Sequence, residues 1–127
     1  MSNIQTIMTQ DAAGQELVTF ASQTAKRLVK DGLTRSQIRN IFTEVRKIEA
    51  LWDTDAELAA RRLTMLKPKL GYQSARQRHV KGLQDVLTPA IDLVIQANGE
   101  ERTERFNRFV ELFEAILAYH RVEGGRN

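Results

Sequence analysis

The sequence has 127 residues, no cysteine and a formal net charge of +3 at pH 7. This length suits one domain with one hydrophobic core, and the absence of cysteine excludes disulfides, thiolate nucleophiles and thiolate-bound metals. The modest positive charge permits an anionic partner without requiring one. With no signal-like start and no long apolar run, we expect a cytoplasmic protein with no membrane segment.

The first predicted helix covers residues 15–30. Its apolar residues recur at helical spacing along one face: Leu17, Phe20, Ala21, Ala25 and Leu28. Gly32 follows where a left-handed C-cap is expected. Residues 1–14 show no such pattern, so we expect a flexible N-terminal segment ahead of a single domain over residues 15–127.

A second helix has a well-marked start in "LTRSQI". Thr34 can cap the helix and pair with Gln37 in a capping box, while Leu33 can pack against Ile38 across the same turn. The expected buried stripe of this helix is Ile38, Ile41, Phe42, Val45 and Ile48.

The stretch "DTDAEL" predicts the start of a third helix, with Thr54 and Glu57 as a second capping box. A calcium loop is an alternative for this stretch, but it would need a turn glycine and a closing glutamate that the sequence lacks. We expect this helix to bury Ala59, Leu63 and Leu66.

Two prolines predict two further helix starts, at Pro68 and near Pro89, because the first turn of a helix tolerates proline. A last helix is predicted over residues 100–122, with an aromatic and aliphatic stripe that ends at His120. No window alternates with the period of a strand. The sequence therefore predicts an all-α fold, a small bundle of five or six helices.

The sequence offers little catalytic chemistry. His79 and His120 are far apart, and neither has metal-binding spacing. We expect His120 to pack its ring at the end of the aromatic stripe, while Glu111 and Glu114 are typical of the solvated side of a helix. No glycine-rich phosphate loop is present. These observations predict a protein that is not an enzyme and has no catalytic residue, metal or cofactor.

Positive charge is concentrated in the middle of the chain. Residues 58–84 contain seven lysines and arginines and no acid, whereas residues 85–127 contain eight acids and five lysines or arginines. Cations without nearby acids favour contact with nucleic-acid phosphates over a merely solvated face.

The densest part of this charge is "LKPKLGYQSARQRHVKG", residues 66–82. If this stretch is helical, Gly71, Ser74, Arg78 and Lys81 share one face, and a phosphate backbone could approach the small residues between the cations. Tyr72 could stack on a base. Its position is more typical of a packed tyrosine whose hydroxyl reaches the rim of the core.

An alternative function is a helix-turn-helix DNA-binding protein, suggested by "RLVKDGLTRSQIRNIF". Apolar Leu33, Ile38 and Ile41 suit the second half of that motif. The first half fits poorly, because bulky Leu28 stands where the two helices need a small residue. This interpretation therefore ranks second.

Three blocks of sequence, "LTRSQIRNIF", "LKPKLGYQSAR" and "FEAILAYHRVEGG", occur in the order of a known family. Over residues 33–125 the chain resembles the small subunit of type III-A CRISPR-Cas effector complexes, the Csm complex. The family pattern has a leucine-threonine start leading to Q-I-R, a central P-K-L-x-Y followed by arginine, and a terminal E-A-I-x-A-Y-H followed by a basic residue. Gln73 after the central tyrosine and Arg121 in place of lysine depart from that pattern.

The resemblance implies a helical bundle repeated along a guide-RNA filament in antiviral defence. It implies contacts with guide RNA and target RNA, largely through their backbones, and with the backbone subunit, the large subunit and further copies of itself. A homodimer of the isolated protein is compatible with it. In that family, target RNA cleavage belongs to the backbone subunit, and DNA cleavage and cyclic oligoadenylate synthesis to the large subunit.

The candidate RNA-binding residues combine the basic segments with positions matched by the resemblance. Arg35 and Arg39 fall around the first block, and Lys69, Tyr72 and Arg76 in the central one; His120 and Arg121 match the terminal block. The full candidate set is Arg35, Arg39, Arg46, Lys67, Lys69, Tyr72, Arg76, Arg78 and Lys81.

Overall fold

The computed structural model describes residues 2–127 and folds them into six α-helices with no strand. The helices are α1 (Asn3–Thr9), α2 (Gln15–Asp31), α3 (Arg35–Trp52), α4 (Ala56–Arg76), α5 (Lys81–Gln96) and α6 (Gly99–Val122). A short 3-10 turn at Arg78–Val80 joins α4 to α5. The predicted all-α bundle of five or six helices is confirmed.

The N-terminal residues contain a helix that the sequence pattern did not predict. The Ser2 hydroxyl oxygen caps α1 by accepting a hydrogen bond from the backbone N–H of Gln5 at 3.1 Å. Ile7 and Met8 are buried in the bundle, and Arg108 of α6 donates from Nη1 to the Ile7 carbonyl oxygen at 2.8 Å. A packed helix thus lies where an unpatterned segment was expected, since a helix of two turns shows too little periodicity to be recognised.

The turn between α2 and α3 agrees with the sequence. Gly32 has a φ of 94°, the left-handed C-cap conformation that favours glycine. Thr34 Oγ1 accepts from the backbone N–H of Gln37 at 3.2 Å, and Gln37 Oε1 accepts from the backbone N–H of Thr34 at 2.9 Å. The predicted capping box is confirmed, and Leu33 and Ile38 beside it are both buried.

The start of α4 differs from the prediction by one residue. Asp55 is the N-cap, and its Oδ1 accepts from the backbone N–H of Leu58 at 3.1 Å. Thr54 instead donates its hydroxyl to the Leu51 carbonyl oxygen at 3.2 Å. The predicted Thr54–Glu57 capping box is therefore wrong, because Thr54 completes the preceding turn and the next carboxylate takes the cap position.

Neither proline begins a helix, so both predicted starts are wrong. Pro68 lies inside α4 and Pro89 inside α5. Each removes one backbone hydrogen bond to the residue four positions earlier. Those residues, Thr64 and Asp85, are exposed, so water can solvate the freed carbonyls. The chain breaks instead at Gln77, whose extended backbone ends α4.

Helix α6 forms the centre of the bundle and packs against α1, α2, α3 and α5. Phe106, Phe109 and Phe113 are almost completely buried on it. Trp52 of α3 stacks on Phe106 with ring centroids 4.1 Å apart and donates from Nε1 to Thr103 Oγ1 at 3.0 Å. The apolar stripes predicted for the second and last helices therefore meet in one core.

Two arginines of α6 hold the end of α5. Arg102 donates to the carbonyl oxygens of Ala97 at 2.8 Å and Ile95 at 2.9 Å. Arg105 donates from Nη1 to the carbonyl oxygen of Leu93 at 2.7 Å. The last carbonyls of a helix have no partner within the helix, so these bonds satisfy them. Both arginines belong to the acid-rich residues 85–127, and both are held by hydrogen bonds within the fold.

Candidate nucleic-acid interface

One side of α4 is rich in exposed cations that form no ion pair among residues 2–127. Exposed apolar residues lie between them, with Met65 at 52% and Tyr72 at 63% exposure. We call this surface the α4 outer face and define it by Arg61, Arg62, Met65, Lys69, Tyr72 and Arg76. From first to last it extends about 22 Å along the helix at 1.5 Å per residue.

A groove of about 730 Å³ lies between α3 and α4 beside this face. Asn40 and Glu44 line it from α3, and Lys69, Tyr72 and Arg76 from α4. The Arg76 guanidinium carbon lies 5.7 Å from the centroid of the Tyr72 ring, and Arg76 Nη1 donates to the Tyr72 hydroxyl oxygen at 3.3 Å. The groove rim thus combines an aromatic ring with a cation held over it.

Gln37, the capping-box residue of α3, lines this groove next to the end of α4. Its Nε2 donates to Gln77 Oε1 at 2.5 Å and lies 2.9 Å from His79 Nε2. Both partners belong to the segment that joins α4 to α5. The side chain that caps α3 therefore also connects the start of α3 to the end of α4.

The structure shows on which side of α4 the Tyr72 side chain lies. Leu66 and Leu70 of α4 are buried, whereas Tyr72 lies on the opposite side of the helix and is exposed. The expectation that Tyr72 packs with only its hydroxyl at the rim is therefore wrong. In one continuous helix, the spacing from Leu66 and Leu70 places Tyr72 on the opposite side. The predicted helix start at Pro68 hid this relation, because it assigned Leu66 and Tyr72 to different helices.

Arg78 and Lys81, the last two cations of the basic segment, lie on a different surface from the α4 outer face. Because α4 ends at Arg76, Arg78 and Lys81 stand beyond the break and line a cleft of about 550 Å³ between α2 and the start of α5. Asp31 and Asp85 line the same cleft, and Lys81 Nζ is 2.7 Å from Asp85 Oδ1. The predicted single face of cations without acids is wrong, because α2 and α5 bring carboxylates to it.

The two small residues of that predicted face lie on the side of α4 that faces α5 and the cleft. At Gly71 an added Cβ would stand 3.6 Å from Gln84 Nε2. Ser74 lines the cleft beside Arg78 and Lys81. A phosphate approaching between Gly71 and Ser74 would meet α5, so this part of the predicted arrangement is wrong.

Two candidate residues are engaged with carboxylates. Lys67 forms an ion pair with Asp92 of α5 at 2.5 Å. Arg46 forms ion pairs with Glu49 at 2.7 Å and with Glu114 at 3.5 Å. The side-chain hydrogen bond with Glu49 is the main cause that raises the pKa of Arg46 above its usual value, and Glu114 adds to it. Both cations are thus partly neutralised by the protein itself.

The two arginines at the start of α3 differ in their surroundings. Arg39 is exposed and forms no ion pair with another described residue. Arg35 is half-buried, its backbone N–H donates to the Arg126 carbonyl oxygen at 2.5 Å, and its Nε is buried without a hydrogen-bond partner among residues 2–127. The structure therefore brings together Lys69, Tyr72 and Arg76 and distributes the other candidates over separate surfaces.

Arg61 and Arg62 belong to the α4 outer face but were absent from the candidate set. They precede Lys69 by eight and seven positions, a helical spacing that places all three on one side. The sequence contained this information, since both arginines fall within the segment without acids. The helix start assumed at Pro68 separated them from Lys69.

The helix-turn-helix alternative has no structural basis here. In that motif the two helices pack on each other around the turn. Helix α2 instead packs mainly on α6, while α3 packs on α4 and α6. Leu28 is fully buried in the core rather than set at a close contact between the two helices.

Titratable side chains are dispersed over residues 2–127. They include no group of three or more histidines and carboxylates that could hold a metal ion. His79 contacts Gln37 at the surface, and His120 is buried at the end of the aromatic stripe, as predicted. No helix in this part of the chain combines the length and the apolar character that a membrane span requires.

Comparison with known families matches most of this chain to a family model. The family described as Csm2 Type III-A matches residues 11–126 of the 127-residue chain. No curated protein and no solved structure matches the sequence significantly. The family match includes all three sequence blocks and helices α2 to α6. The chain therefore belongs to the Csm2 family, the small subunits of type III-A Csm complexes.

Proposed function

We propose that this protein is a non-catalytic subunit that binds the backbones of guide RNA and target RNA without sequence preference. The observation that supports this most is the α4 outer face, where four exposed cations extend over about 22 Å without ion-pair partners among residues 2–127. Lysine and arginine contacts to phosphates supply affinity that does not depend on sequence.

The same proposal includes assembly with the backbone subunit, the large subunit and further copies, in the cytoplasm. Helix α6 exposes Glu100, Glu104 and Glu111, none of which forms an ion pair with another described residue. Charge complementarity between subunits steers association and disfavours wrong partners. This acidic side suits basic protein neighbours, while the α4 outer face suits RNA.

Salt dependence of RNA binding tests the role of the α4 outer face. Replacing both Lys69 and Arg76 by alanine should reduce the slope of log affinity against log salt by about 0.7 for each lost phosphate contact to a single strand. The matched control replaces Lys26 and Lys30 of α2, which lie outside the α4 outer face and the groove, and it removes the same charge.

Circular dichroism should show unchanged helicity in both double variants. An equal change of slope in the two variants would mean that net charge alone matters, and an unchanged slope for the Lys69 and Arg76 variant would remove the α4 outer face from the RNA path. Sequencing of RNA that co-purifies with the tagged protein tests the partner: repeat-derived guide RNA is expected, and a particular duplex DNA in its place would contradict the proposal.

A further inference from the structure

The groove between α3 and α4 has features that phosphate binding does not use. Besides Lys69 and Arg76, it is lined by the apolar surfaces of Met65, Pro68 and the Tyr72 ring. All three of these residues are exposed, although burying apolar side chains would stabilise the folded chain. Exposed apolar surface rimmed by polar groups is typical of a binding site.

The cation held over Tyr72 prepares that ring for a planar ligand. Arg76 lies 5.7 Å from the ring centroid and donates to the Tyr72 hydroxyl, so both side chains are restrained, yet 63% of Tyr72 remains exposed. Aromatic rings and arginine guanidinium planes are the surfaces on which proteins commonly stack unpaired bases. Because the restraint exists before binding, less side-chain entropy is lost when a base arrives.

Amide groups stand on both walls of the groove. Asn40 of α3 and Gln73 of α4 are exposed, and their side chains form no hydrogen bond with another described residue. The other two amides of the groove, Gln37 and Gln77, are not free, because they are hydrogen-bonded to each other. A free amide offers a donor and an acceptor and can turn to match the edge of any base.

The charge of the groove also suits a nucleic acid. Glu44 is the one carboxylate among the described residues that line it, and it lies 3.6 Å from Lys47. Lys69 and Arg76 have no carboxylate partner among residues 2–127. Its volume of about 730 Å³ falls within the range of small-ligand sites.

We propose that this groove receives one unpaired nucleobase of the bound RNA, stacked on Tyr72, while Lys69 and Arg76 contact the neighbouring phosphates. The proposal rests on the proposed RNA-binding function and adds a contact that requires a base. Stacking uses the π face that all bases share, so the site tolerates any sequence.

The test uses the full-length chain and two single-stranded RNAs of equal length and charge, one intact and one abasic. The wild-type chain should bind the intact RNA more tightly. Tyr72→Ala should lower affinity for the intact RNA by roughly 5- to 100-fold and leave the abasic RNA unaffected. Tyr72→Phe keeps the ring but loses the hydrogen bond from Arg76, so it should retain most of the affinity. Tyr72→Leu keeps apolar bulk without a π face and should lose the affinity that the ring supplies.

Val18→Ala is the matched control, because Val18 is an exposed apolar residue of α2, 46% exposed, outside the groove. It should bind both RNAs as the wild type does. Equal affinity of the wild type for the two RNAs, or an equal loss for both in Tyr72→Leu, would overturn base stacking while leaving phosphate binding intact. If the wild-type chain bound neither RNA, the base-stacking proposal and the proposed function would both fail.

Discussion

The imidazole Nε2 of His120 lies 2.7 Å from the carbonyl oxygen of Leu33, a residue 87 positions earlier in the chain. The ring is 1% exposed, and the contact requires a proton on Nε2, since a carbonyl can only accept. Gly125 lies directly against the ring and donates its N–H to the His120 carbonyl oxygen at 2.8 Å. The first and third sequence blocks therefore meet at the start of α3.

Replacing His120 by alanine should lower the free energy of unfolding by about 2–4 kcal/mol. The loss combines a buried carbonyl left without its donor and a cavity where the ring was. Urea unfolding followed by circular dichroism measures it. The neighbouring exposed Arg121→Ala should stay within about 0.5 kcal/mol of the wild type, and a similarly small change for His120→Ala would show that the contact adds no stability.

Two glycine-to-alanine substitutions should change stability in opposite directions. At Gly125 a Cβ would overlap the His120 ring, so we expect a loss of about 1–3 kcal/mol. At Gly71, inside α4, a Cβ meets only Gln84 Nε2 at 3.6 Å, so alanine should gain about 0.5–1 kcal/mol from its better helix propensity. Thermal unfolding measures both, and destabilisation by Gly71→Ala would mean that α4 and α5 approach more closely than described.

Asp85→Asn should increase the affinity for RNA at low salt. The substitution removes a negative charge from the cleft between α2 and α5 and releases Lys81, which is paired with Asp85. The gain should shrink at higher salt, because exposed charges are screened. Fluorescence anisotropy at two salt concentrations checks this. An unchanged affinity at low salt would indicate that this cleft does not face RNA.

Arg46→Ala should lower stability by less than about 1 kcal/mol, as exposed ion pairs contribute little, and should leave the salt slope of RNA binding unchanged. The pKa of Arg46 is raised in the folded chain, so the contribution of its charged form is fully present below the usual pKa of arginine and is lost only at higher pH. The stability difference from wild type should thus be constant between about pH 6 and 9. A reduced salt slope would instead place Arg46 in contact with phosphate.

Local sequence signals predicted the turn between α2 and α3 correctly, whereas the Thr54–Glu57 box shows that a cap can be misplaced by one residue. The Thr34–Gln37 capping box and the Gly32 C-cap are formed by residues within a few positions of each other. The prolines show the limit of such signals. Whether Pro68 ends a helix depends on the solvation of the Thr64 carbonyl, which depends on how α4 lies in the bundle.

The candidate nucleic-acid interface likewise has features that the sequence determines and features that only the tertiary structure determines. The concentration of lysine and arginine without acids in residues 58–84 is a property of the sequence alone, and so is the helical spacing that joins Arg61, Lys69 and Tyr72 on one side. Only the tertiary structure decided which cations remain available. The Lys81–Asp85 pair is four residues apart within α5, so the sequence spacing already allowed it. Helix α5 also folds back along α4 and places Asp92 against Lys67, whereas Lys69 and Arg76 project from the opposite side into solvent, because such an ion pair forms between charges that only the fold brings together.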